Sequence, residues 1–106
     1  MALSIIVYNG FGEDTGKLVY AQVNSGDPES INPKDQKTFP LGLRDTLYTW
    51  AEKNNTPVYC SLKYRMQNSD KFALDTDMEK SEKKWKITNP SSGQTNVNVT
   101  VGDDDQ

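Results

Sequence analysis

The chain contains no histidine. That removes the commonest general base, the commonest metal ligand and the side chain that switches charge near neutral pH. There is one cysteine, Cys60, so neither an intrachain disulfide nor a thiolate zinc site can form. Hydrophobic residues make up only 34% of the 106 positions, which is lean for a globule. No apolar run approaches the roughly 18 residues a membrane helix needs, so no transmembrane segment is expected. Positive charge is in the minority: 12 Lys and Arg stand against 15 Asp and Glu, for a net charge of −3. A nucleic-acid partner is therefore not expected, because phosphate binding needs a basic face. The first residues, Met1 to Tyr8, hold no basic residue and too short an apolar stretch for an export signal. The expectation is a cytoplasmic protein as encoded, with non-classical export as the other route.

What is present is a series of short runs of alternating apolar and polar residues between turn residues. Leu3 to Tyr8 alternates, with Leu3, Ile5 and Val7 on one face. A Gly-rich connection, Asn9 to Gly16, leads to Lys17–Val23, in which Val19, Ala21 and Val23 share a face. The two runs read as a hairpin with a long loop. Asn24 to Lys37, with Gly26, Pro28 and Pro33, reads as a polar loop in which Ile31 plugs the edge of the core. A short strand interrupted by Pro40 follows, at Thr38–Leu41. Leu43 to Asn54 is ambiguous. Leu43, Leu47, Trp50 and Ala51 fit helical spacing, whereas Thr46-Leu47-Tyr48-Thr49-Trp50 is rich in strand formers. Val58 to Arg65 alternates most clearly, with Val58, Cys60, Leu62 and Tyr64 on one face. Phe72 and Leu74 mark a short strand, Asp75–Lys83 a charged loop, and Lys84–Thr88 a strand carrying Trp85 and Ile87. Thr95–Val101 places Val97, Val99 and Val101 inward.

This pattern predicts an all-β fold, an antiparallel two-sheet sandwich of about seven to eight strands in one domain over residues 1–102. Residues 103–106 form an acidic tail with nothing to bury. The alternative is α+β with one helix over 44–54.

The motifs carry little chemistry. Gly10-x-Gly12-x-x-x-Gly16 precedes a strand rather than a helix, so it lacks the N-terminus on which a phosphate sits. Asp75-x-Asp77-x-Glu79 has Lys80 where a calcium loop needs Gly and Lys86 where it needs Glu. It reads as a solvated loop, and no metal, cofactor or catalytic residue is assigned. Cys60 reads as a small buried hydrophobe. The carboxylates lie in loops, edges and the tail, away from apolar surroundings that would raise their pKa. The two glycosylation triplets, Asn54-Asn55-Thr56 and Asn98-Val99-Thr100, mean nothing without export.

The aromatics point further. If Leu47, Thr49 and Ala51 face the core, Tyr48 and Trp50 are exposed on the other face, and Tyr59 joins them from the next strand across a hairpin. Rings flanked by Asn, Thr and Lys stack on sugars or sit at lipid head groups. The expected function is a non-enzymatic, lectin-like module that recognises a glycan or an amphiphilic surface through Tyr48, Trp50 and Tyr59. In the bland reading Trp50 turns inward and anchors the core. Two other functions compete. One is a structural protein that forms homo-oligomers through edge strands, Val97–Val101 among them. The other is an inhibitor or antitoxin whose loop Asn24–Lys37 plugs a partner.

Overall fold

The computed structural model describes residues 3–42, 44–66, 78–81, 84–88 and 96–102, the side chains of 3, 64–66, 78–81 and 96 aside. Among these residues there are ten strands: β1 (Leu3–Asn9), β2 (Lys17–Val23), β3 (Glu29–Ile31), β4 (Gln36–Leu41), β5 (Thr46–Lys53), β6 (Thr56–Val58), β7 (Ser61–Met66), β8 (Met78–Ser81), β9 (Lys84–Thr88) and β10 (Asn96–Gly102). They form two sheets. The four-stranded sheet runs β4-β1-β10-β7. The six-stranded sheet runs β3-β2-β5-β9-β8, with β6 paired to β5 beside β9.

The fold is the all-β two-sheet sandwich that the alternation implies. The two sheets enclose a shared apolar layer, to which strands of both give one face. Ile5, Val7, Phe39, Leu41, Val97, Val99 and Val101 enter it from the four-stranded sheet. Val19, Ala21, Ile31, Leu47, Ala51 and Ile87 enter from the six-stranded sheet. Phe11 closes one end of the core from the loop after β1 and is fully buried, with the Lys17 ammonium 4.8 Å from its ring centroid. Residues 46–53 are strand β5, not a helix. Five strand formers at 46–50 outweigh the helical spacing of four apolar residues once β2 and β9 pair on either side.

Several local expectations are corrected. β1 and β2 are not a hairpin, because they lie in different sheets. The Asn9–Gly16 loop crosses between the sheets. Residues 24–37 are not one loop: β3 pairs with β2, and β4 begins at Gln36. The run from Val58 to Arg65 is broken. β6 ends at Val58 in one sheet, and β7 starts at Ser61 in the other. Val58, Cys60 and Leu62 keep a common inward phase across this break because both sheets face the same core. Residues 78–81, expected in a charged loop, form β8. The expected strand at Phe72–Leu74 and the acidic tail lie outside the described residues.

β10 is not an edge. It sits between β1 and β7 and runs parallel to β1, the exception in an otherwise antiparallel set of pairings. Among the described strands, two of the sheet edges, β3 and β4, are blunted. β3 is three residues long, with Pro28 just before it and Pro33 shortly after. β4 carries Pro40. It also carries Lys37 on the same face as Val7, so the lysine points toward the gap between the sheets and reaches Glu29 of β3 at 3.7 Å. Short edges, prolines and inward-pointing charges all oppose further strand pairing.

Asn9 has no counterpart among the sequence expectations. It is fully buried at the end of β1. Its Nδ2 donates to the Ile31 carbonyl at 2.9 Å and the Lys17 carbonyl at 3.2 Å, and its Oδ1 accepts the Phe11 amide at 2.9 Å. Its backbone N–H donates to Asp35 O, and its carbonyl accepts from Lys34 N. One side chain thus ties the end of β1 to the start of β2, the end of β3 and the following loops. A buried amide is tolerated only when its donors and acceptors are satisfied in this way.

Candidate functional site

The outer face of the six-stranded sheet carries the aromatic residues picked out in the sequence. On β5, Leu47, Thr49 and Ala51 are buried toward the core, and the period of two sends Tyr48, Trp50 and Glu52 outward. The register aligns them in cross-strand rows. Tyr20 of β2, Trp50 of β5 and Lys84 of β9 form one row. Gln22, Tyr48 and Lys86 form the next. The Tyr20 and Trp50 rings stack with centroids 5.7 Å apart and planes 10° from parallel. From the opposite side, the Lys84 ammonium lies 4.6 Å from the Trp50 centroid and 5.5 Å from that of Tyr48. The Trp50 indole N–H donates to Glu52 Oε2 at 2.7 Å. Ring stacking contributes about 0.5–1.5 kcal/mol beyond area burial, and a cation over an exposed ring about 0.5–1 kcal/mol.

The expectation for Trp50 is corrected in one respect. Its side chain does point away from the core, but it is only 8% exposed. Tyr20 flanks one side of the indole and Lys84 the other, so the ring is a packed pillar rather than an open platform. Tyr48 is half-buried beneath Lys84. Tyr59 is 64% exposed, but it does not stand across a hairpin from Trp50. It follows β6 in the crossover to β7, and the strand position opposite Trp50 belongs to Lys84. The tryptophan that serves the core is Trp85. It shares the inward face with Thr49, packs against the core cluster and donates its indole N–H to the Cys60 carbonyl at 3.1 Å.

Tyr20 and Lys84 escaped the sequence reading. Tyr20 does lie on the outward phase of the Val19/Ala21 alternation, but only the β2–β5 and β5–β9 registers bring it and Lys84 to Trp50. Gln22 and Lys86, both half-buried, border Tyr48 with hydrogen-bonding groups.

At one end of the same sheet, Asn24 and Asp45 latch the loop before β5 to the end of β2. Asn24 Nδ2 donates to Asp45 Oδ1 at 3.0 Å, Gly42 N donates to Asp45 Oδ2 at 2.8 Å, and Thr46 N donates to Asn24 Oδ1 at 3.0 Å. The Asn24 hydrogen bond, seconded by the Gly42 amide, holds the Asp45 carboxyl below its ordinary pKa. Among the described residues no three His, Cys, Asp or Glu side chains are grouped to hold a metal. Asp75 and Asp77 lie outside that set. The Cys60 thiol is buried at 2% exposure.

No protein-family model and no curated protein matches the chain in sequence. In three dimensions it is similar to a bacterial adhesin from Mobiluncus mulieris containing intramolecular disulfide, isopeptide and ester bond cross-links, solved in two crystal forms. The P1 form aligns with a TM-score of 0.60 over 94% of this chain at 12% identity. The P21 form aligns with a TM-score of 0.54 over 93% at 10% identity. The chain spans about 40% of the adhesin's length. The likeness is one of fold. The adhesin's disulfide has no intrachain equivalent in a sequence with one cysteine.

Proposed function

We propose that this domain is a non-enzymatic binding module that recognises a glycan on the outer face of its six-stranded sheet. The observation that carries this reading is the ordered Tyr20–Trp50–Lys84–Tyr48 cluster on a face turned away from the core. Trp50 is the pillar that holds Tyr20 and Lys84 in place. Tyr48 offers the half-open ring edge, bordered by Gln22 and Lys86 as hydrogen-bonding groups. Tyr59, at the crossover, is the outlying ring that a longer ligand would reach. Sugars pair an apolar ring face with a rim of hydroxyls, and a ring flanked by amide and ammonium groups matches that chemistry. A lipid surface fits less well, because Glu52 stands in the same patch and the chain is net negative. The fold-level likeness to an adhesin supports a binding or structural role. The blunted β3 and β4 edges weigh against self-assembly by pairing at those two strands.

A glycan array with the wild-type domain and a Tyr48→Ala variant tests this. The expected result is selective binding by the wild type and about tenfold weaker binding by the variant with its melting temperature little changed, which matches about 1.4 kcal/mol of lost stacking and hydrogen bonding. Absence of any glycan ligand, or binding that ignores Tyr48→Ala, overturns the proposal. Binding to anionic vesicles without glycan binding also overturns it and assigns the face to a membrane.

A further inference from the structure

The second observation lies in the other sheet and is independent of the aromatic face. β1 and β10 are the first and last strands described, they are neighbours, and they run parallel with Ser4–Asn9 in register with Asn96–Val101. In a parallel pair, the chain enters β1 at one end and leaves β10 at the opposite end. Tension between the segment before Leu3 and the segment after Gly102 therefore drags the two strands past each other along their own axes. The ladder hydrogen bonds lie across that direction, so the whole register is strained together. An antiparallel pair pulled from adjacent ends opens instead one bond at a time.

The surroundings reinforce this geometry. β1 is held on its other side by β4 over Leu3–Tyr8, and β10 on its other side by β7 over Val97–Gly102. Neither strand can slide without shearing two ladders. Ile5, Val7, Val97, Val99 and Val101 are buried on the inner face, so sliding also draws apolar side chains across a packed layer. The trailing end of β1 is anchored by the buried Asn9 carboxamide and by the Gly10 N–H on Val101 O at 2.8 Å.

We infer that β1 and β10 form a shear clamp, and that the domain carries mechanical tension between its two chain ends. Forced unfolding depends on the barrier along the pulled coordinate rather than on equilibrium stability. The same molecule must therefore resist force in one direction far better than in another. The test is single-molecule force spectroscopy in a Cys60→Ala background with one added attachment point, Pro40→Cys, on the exposed side of β4 opposite Ser4. Pulling this chain from its two ends loads the clamp. Pulling it between the N-terminal end and residue 40 peels β1 from β4. The clamp predicts a severalfold higher unfolding force for the first geometry in the very same protein. Equal forces, or a lower force from the two ends, overturn it. If Pro40→Cys does not fold, Gly42→Cys gives the same peeling direction. Loss of glycan binding in any of these variants leaves the force comparison unaffected, so the two proposals fail separately.

Discussion

Replacing Asn9 with alanine removes three hydrogen bonds made by a fully buried side chain. The Phe11 amide and the Ile31 carbonyl lose partners at 2.9 Å in buried surroundings, and the half-buried Lys17 carbonyl loses one at 3.2 Å. A buried polar group left without a partner costs about 1–3 kcal/mol. Two such groups and a weaker third bring the expected loss to about 4 kcal/mol. Against a total stability of about 5–15 kcal/mol, that is a large fraction. Urea unfolding followed by tryptophan fluorescence measures it. With a slope of about 1–3 kcal/mol per molar urea, the midpoint should fall by about 2 M. Asn9→Asp adds a sign test. Its carboxylate keeps the Phe11 bond but turns an acceptor toward two carbonyl oxygens, and burial raises its folded pKa above the unfolded value near 3.9. The folded variant then binds a proton at a pH where the unfolded chain does not. Its deficit relative to wild type must therefore be constant above that raised pKa and shrink as pH falls through it toward about 3.9. A loss below about 1 kcal/mol in Asn9→Ala, set against the expected cost of unpartnered groups, would refute the reasoning.

Other outcomes follow from single sites. Cys60 should label slowly with a thiol reagent in the native protein and rapidly in denaturant, since it is 2% exposed; equal rates would contradict its place in the core. Asn54 and Asn55 form the two-residue β5–β6 turn with φ of 53° and 64°. Asn55→Gly should leave the melting temperature unchanged or raise it, and Asn55→Val should cost about 1–2 kcal/mol in urea unfolding. The folded pKa of Asp45 lies below its unfolded value, so its contribution is complete above about pH 4 and is lost as pH falls through the lower folded value. Asn24→Gly keeps the φ of 54° but removes the main cause. The gap in melting temperature between wild type and this variant should accordingly narrow on acidification below about pH 4.

The alternation that marks each strand was legible because burial on one face imposes a period of two. Ile5/Val7, Val19/Ala21, Leu47/Ala51 and Val97/Val99/Val101 all lie inward. Which sheet a strand joins was not legible. A loop rich in Gly and Asn serves a hairpin or a crossover equally, so Asn9–Gly16 looked like a turn between partners. The change of sheet at Tyr59–Cys60 was hidden for a related reason: the inward phase of Val58, Cys60 and Leu62 survives the crossing. At the candidate site, the outward direction of Tyr48 and Trp50 followed from β5 alone. The cover over Trp50 depends on what β2 and β9 place beside it, and register is a tertiary property. Asn9 gave no signal because an Asn-Gly pair reads locally as a turn, whereas its role rests on β3 and on the loop before β4.

The most direct test of the proposed binding role is a two-dimensional amide NMR titration of the intact domain with the glycan that the array selects. Resonances of Tyr20, Gln22, Tyr48, Trp50, Lys84 and Lys86, including the Trp50 indole N–H held by Glu52, should shift together and saturate, while those of β1 and β10 stay in place. Saturable shifts confined to the four-stranded sheet or to the loops, with the Trp50 indole unmoved, would contradict it.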